Sequence, residues 1–252
     1  MDIMLGMHIS IAAEKLFSIG PLPVTNSLLV TWITIVIFLI IGILVRLRKN
    51  IVPTGLQNVV EYVLEFFYRT VCDVFEDEDK GRKYFPLVMT LFLFVLLINW
   101  LSLLPGFGSI GFHRLEEGQM TFVPLLRGAS ADLNTTIALA LISVFMIQVY
   151  SIQSLGFKGF LGRFIKLQSP IMFFVGILEL IAELAKIISF SFRLFGNIFA
   201  GEVLLIVMFK LTLGFAVPPF LFLEIFVGFI QALIFSFLTL FFIKIATTAE
   251  EH

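Results

Sequence analysis

Residues 26–45 run for twenty positions without a charged side chain, and residues 84–104 and 133–155 repeat that feature. In a bilayer the backbone finds no water to bond with. An apolar run of about 20 residues therefore reads as a helix that satisfies its own N–H and C=O groups while crossing the hydrocarbon. Two further apolar stretches, 170–213 and 218–249, are longer still. Forty-four residues in one helix would reach about 66 Å, roughly twice the hydrocarbon thickness. Single glycines are the only turn signals inside 171–211, so the spacing predicts two long, strongly tilted helices rather than two pairs of short spans.

Composition agrees. Hydrophobic residues fill 59% of the 252 positions and charged ones 14%, against about 25% charged in a soluble domain. A net charge of -1 gives no electrostatic basis for binding nucleic acid. One cysteine, Cys72, excludes an intrachain disulfide, and the scattered His8, His113 and His252 predict no metal site. Residues 1–26 lack the basic start of a cleavable signal and carry Asp2, Glu14 and Lys15, so the first apolar run is expected to stay as a span.

Between the spans, Arg46, Arg48 and Lys49 precede a break at Pro53-Thr54-Gly55. Residues 56–72 mix Glu61, Glu65 and Arg69 with apolar positions, the pattern of an amphipathic helix on the membrane surface. Glu76 to Asp79 reads as a solvated acidic loop, residues 106–131 as a polar loop, and 156–169 as a basic loop. With the amino terminus outside, ten Lys and Arg fall on inner loops and three (Lys15, Arg114, Arg127) on outer ones, the orientation favoured by the positive-inside rule. The carboxyl end then lies inside. The fold class expected is all-α: a polytopic membrane protein with one surface helix and a long tilted helical hairpin.

The chemistry sits in residues 179–231. Ionisable side chains at membrane depth are expensive and face a water path or a partner. Along one helix, Glu179, Glu183, Lys186, Arg193 and Asn197 share an arc of about 80° at 100° per residue. Ala182, Ser189, Gly196 and Ala200 flank the arc, and small side chains let a second helical component pack closely beside Arg193. Glu202 lies off this stripe. Glu224 and Gln231, seven apart, share a face of the last helix.

An antiparallel hairpin turning near residues 212–215 brings Arg193 opposite Gln231 and Glu202 opposite Glu224. Two polar routes emerge, with Glu179 and Glu183 toward the inner loop and Glu202 and Glu224 toward the outer turn. Arginine stays protonated, which suits Arg193, between them, to a barrier and counter-charge rather than a relay. Glu179 and Glu183 read equally as a local pair for Lys186 or as stations on a proton path. Asn197 and Gln231 also serve as interhelical hydrogen-bonding residues, Asn99 reads as structural, and Lys210 and Lys244 reach for the membrane surface.

The stretch Ser191-Phe-Arg193-Leu-Phe-Gly-Asn197-Ile-Phe-Ala-Gly-Glu202 closely resembles the signature of subunit a of F-type ATP synthases. Ala131-Asp-Leu-Asn-Thr-Thr136, the Leu-Leu-Pro-Gly106 segment after Asn99, and Gln231-Ala with the Glu-Glu-His252 end add to the likeness. Position 224 is a glutamate where some members place a histidine. The resemblance implies a stator that stands beside a c-ring of small hairpin subunits, each with one buried carboxylate. The other implied partners are peripheral-stalk b subunits, the remaining synthase subunits and membrane lipid.

Protons would reach the ring past Glu224 and Glu202, near Asn197 and Gln231, and leave past Glu179, while Arg193 attends the ionised ring carboxylate and blocks a direct leak. No cofactor or metal is implied, and no phosphate-cradling loop suggests that this chain binds nucleotide or is itself catalytic. The expected host is a bacterial plasma membrane, with the mitochondrial inner membrane as the other setting. A proton-coupled secondary transporter is the alternative, but it would show repeated halves with broken helices. A membrane hydrolase would show His-Glu-x-x-His or Gly-x-Ser-x-Gly. Neither pattern occurs.

Overall fold

The computed structural model describes residues 13–20, 22–47, 55–104, 110–116, 119–165 and 169–248. Arg48, Lys49, Pro53, Thr54, Pro105, Gly106, Lys166, His8 and the Glu-Glu-His252 end, all used above, lie outside the described residues. Among the described residues there are six α-helices: α1 (Asn26–Leu47), α2 (Leu56–Phe75), α3 (Glu78–Leu101), α4 (Leu133–Phe164), α5 (Pro170–Thr212) and α6 (Val217–Thr247). α1, α3, α4 and α6 are long and apolar enough to cross a membrane. The protein is an all-α, polytopic membrane protein.

Two compact units divide the chain: one holds Met1–Arg48, Leu93–Thr136 and Arg193–Ala232, the other Lys49–Phe92, Ile137–Phe192 and Leu233–His252. In the first unit, β1 (Lys15–Ile19) pairs antiparallel with β2 (Leu22–Thr25), and β3 (Gly111–Glu116) with β4 (Gln119–Pro124). The polar loop expected over 106–131 is therefore in part a β-hairpin. α1 starts where Thr25 Oγ1 accepts from the Leu28 N–H at 3.3 Å, supplying one of the partners a helix amino terminus lacks. α4 starts at the buried Asp132, whose Oδ1 accepts from the Asn134 N–H at 3.1 Å and whose Oδ2 accepts from Ser27 Oγ at 2.7 Å. That second bond ties the start of α1 to the start of α4.

In the second unit, α2 buries Phe67 and Val71 and exposes Glu61, Glu65 and Arg69, a one-sided helix. Phe67 packs at a tilt against Phe92 at 4.3 Å between ring centroids and meets Phe237 at 5.6 Å. α2 ends at Glu76 in a left-handed conformation, and Asp77 then caps α3 by accepting from the Asp79 N–H at 2.9 Å. The acidic run is thus a cap as well as a loop, and α3 begins ahead of Tyr84. Buried hydroxyls join α4 to α6: Ser143 and Thr239 share a bond of 2.8 Å, and Ser151 donates to the Ala246 carbonyl at 2.8 Å.

Gly156 (φ 72, ψ 164) breaks α4, so residues 157–164 form a separate helical piece rather than the loop expected from their charge. That piece closes on α5 at Gly176, where an added Cβ would overlap the Phe164 carbonyl. Because the obstacle is backbone, it cannot swing aside. Gly176→Ala should destabilise the fold by about 1–3 kcal/mol, read as a lower melting temperature of the purified complex that contains the chain.

Candidate functional site

Among the described residues of the first unit, a cluster of polar side chains lies on α5 and α6. These helices meet through a turn in which Leu213 (φ 50) and Gly214 (φ 92) are left-handed and Thr212 Oγ1 accepts from the Ala216 N–H at 3.2 Å. This turn sets the register. Asn197 Nδ2 donates to Gln231 Oε1 at 3.4 Å, and Gly201 lies against Glu224, whose carboxylate an added Cβ would overlap. Glu224 and Gln231 are 5% and 4% exposed, and neither Glu224 Oε1 nor Gln231 Nε2 has a hydrogen-bond partner among the described residues. Glu202 is half-buried on the next position of α5, close enough to Glu224 to interact electrostatically.

Other elements close around this cluster. A Cβ on Gly128 would stand 3.1 Å from Glu202 Oε1, so the segment before α4 runs close to that carboxylate, and Arg127 acts on it electrostatically. Asn99 is fully buried; its Nδ2 donates to the Gly228 carbonyl at 3.1 Å and its Oδ1 accepts from Ser130 Oγ at 2.7 Å. Trp100 Nε1 donates to the Ile225 carbonyl at 3.1 Å. These bonds hold α6 beside the end of α3, and they fix the face that presents Glu224. Arg193, by contrast, is exposed, as is Ala200, and a Cβ on Gly196 would meet nothing within 4 Å.

Among the described residues of the second unit, a further cluster lies on α4 and α5. Arg163 Nε and Nη2 donate to Glu179 Oε1 at 2.9 and 2.7 Å, and its Nη1 donates to Ser151 Oγ at 3.3 Å. Glu183 accepts from Lys186 Nζ and from Gln148 Nε2, both at 2.7 Å, with Arg163 3.8 Å away. Lys186 also sits over the Phe242 ring at 4.5 Å. Among the described residues, no group of three or more His, Cys, Asp or Glu could hold a metal ion.

Comparison with known proteins supplies the decisive observation: a family described as ATP synthase A chain matches residues 28–244. The chain belongs to that family. Over 233 residues it is 35% identical to ATP synthase subunit a of Moorella thermoacetica, covering 91% of this chain and 94% of that one. The same name belongs to a Geobacter sulfurreducens relative, 35% identical over 90% of this chain and 89% of its own. It also belongs to one from Syntrophobacter fumaroxidans, 33% identical over 94% and 90%.

Within this subunit a fold, Arg193, Asn197, Glu202, Glu224 and Gln231 fall in one unit and Glu179, Glu183 and Lys186 in the other. Sequence reasoning passed over Arg163, Gln148 and Arg127. Arg163 was counted only as an inner-loop charge. The signal that could have found it is Gly156, a residue able to turn the chain sharply and return that charge toward α5.

Proposed function

We propose that the chain forms two offset half-channels which load and unload the carboxylates of a c-ring, coupling a proton gradient to rotation and ATP synthesis. The observation that carries this reading is Arg193, exposed on an apolar helix beside the open surface of Gly196 and the exposed Ala200. A charge at membrane depth is costly without a counter-charge or water. A ring of close-packed small helices bearing one carboxylate each fits this surface, because small residues allow the approach and a carboxylate passing there would interact favourably with the guanidinium.

Glu202, Glu224, Asn197 and Gln231 would then serve the outer half-channel, and Glu179, Glu183 and Lys186 the inner one. Each elementary charge moved through 100 mV yields about 2.3 kcal/mol, so several transfers combine for each ATP. Peripheral-stalk b subunits would hold the chain against rotation. Catalysis would belong to other subunits, and the host would be a bacterial inner membrane. This assignment is testable by cross-linking. With Cys72→Ser as background, a cysteine at Ala200 should cross-link to a cysteine on the outer helix of the ring in the assembled complex, while one at the exposed Ile40 of α1 should not. Equal labelling at both positions would contradict the docking face.

A further inference from the structure

Among the polar groups of the second unit, one arrangement is asymmetric in a way that simple ion pairing does not require. Arginine usually grips a carboxylate with two parallel bonds, one to each oxygen. Here Arg163 sends both Nε and Nη2 to the same oxygen, Glu179 Oε1. Glu183 has both oxygens taken, Oε1 by Lys186 and Oε2 by Gln148. Of the four carboxylate oxygens in the cluster, three accept bonds from the protein. The fourth, Glu179 Oε2, accepts none among the described residues.

The arginine is itself immobilised. Its side chain is 17% exposed, and its Nη1 donates to Ser151, which is tied to the Ala246 carbonyl of α6. It reaches Glu179 because Gly156, at φ 72, turns the end of α4 back. The close approach at Gly176 then brings the Phe164 carbonyl, one residue beyond Arg163, against α5. Two glycines and three helices thus converge on the placement of one guanidinium.

We propose that Arg163 is a positioning residue for the inner proton route: it fixes Glu179 by one oxygen and leaves the other directed as the acceptor for protons in transit. Lys186 and Gln148 occupy Glu183 so that it does not compete. Proton transfer depends steeply on the placement of the accepting atom, so a carboxylate held by one oxygen serves better than one free to rotate. This rests on the half-channel reading above and deepens its inner half.

The test uses the assembled complex in inverted vesicles, with ATP-driven proton pumping measured for Arg163→Gln, Arg163→Lys, Glu179→Gln and the double variant Arg163→Gln/Glu179→Gln. Glu179→Gln should slow pumping about a hundredfold and Arg163→Gln about tenfold. Arg163→Lys, which keeps a donor for Oε1, should recover most of the rate. The double variant should be no slower than Glu179→Gln, because a positioning residue has nothing left to position.

Wild-type pumping by intact Arg163→Gln complexes would overturn the proposal, as would a further tenfold loss in the double variant. If Arg163→Gln fails to assemble, Ser151→Ala, which removes the anchor of Arg163 Nη1, carries the same comparison in the presence and absence of Glu179→Gln. Additive losses there would overturn it equally. Normal pumping by Arg193→Ala would bring down the half-channel reading itself, whereas a defective Arg193→Ala beside a normal Arg163→Gln removes only this inference.

Discussion

Gly201→Ala is expected to leave the complex assembled and yet slow proton-driven ATP synthesis by at least about tenfold. The reason is geometric. An added Cβ at position 201 would occupy the space of the Glu224 carboxylate, the far end of a flexible side chain. The fold yields by rotating Glu224 rather than by separating α5 from α6, so the cost in stability is small. The expected cost in function is large, because Glu224 is 5% exposed and would leave the position in which it interacts electrostatically with Glu202. Rates of ATP synthesis and the amount of chain retained in the purified complex together check this. In a Glu224→Ala background the same change should add little, since the conflicting side chain is gone. A loss in Glu224→Ala as great as that in the parent would show that Gly201 acts on something other than Glu224.

Much of this architecture was legible because the bilayer leaves few choices. Runs of uncharged residues announce helices, and α1 and α6 follow them closely. The polar stripe on α5 was legible for a similar reason, since charges in an apolar helix stand out and their angular spacing survives without any knowledge of packing. Conformations that depend on one glycine were not legible. Gly156 looks like many other glycines until its φ of 72 is seen, and that angle decides whether Arg163 faces solvent or Glu179.

The β3–β4 hairpin was hidden differently. His113, Arg114, Glu116 and Gln119 gave the segment the polarity of a loop, which masked the alternation that pairs Phe112 with Val123. Asn99 reads from the sequence as structural, and it is buried. Its partners, Gly228 and Ser130, come from segments distant in sequence that no periodicity connects.

The largest effect is expected at Arg193. It lies exposed on α5, and on the proposed mechanism every deprotonated ring carboxylate would have to pass it. On the half-channel proposal, removing the guanidinium would take away both the counter-charge that favours the ionised carboxylate and the fixed positive charge that keeps protons from crossing directly between half-channels. The most direct measurement is ATP-driven pumping together with passive proton leak, in vesicles carrying intact complexes with Arg193→Ala. Loss of pumping accompanied by a raised leak is the result this account expects. Normal pumping with no change in leak would contradict it and leave Arg193 a structural residue.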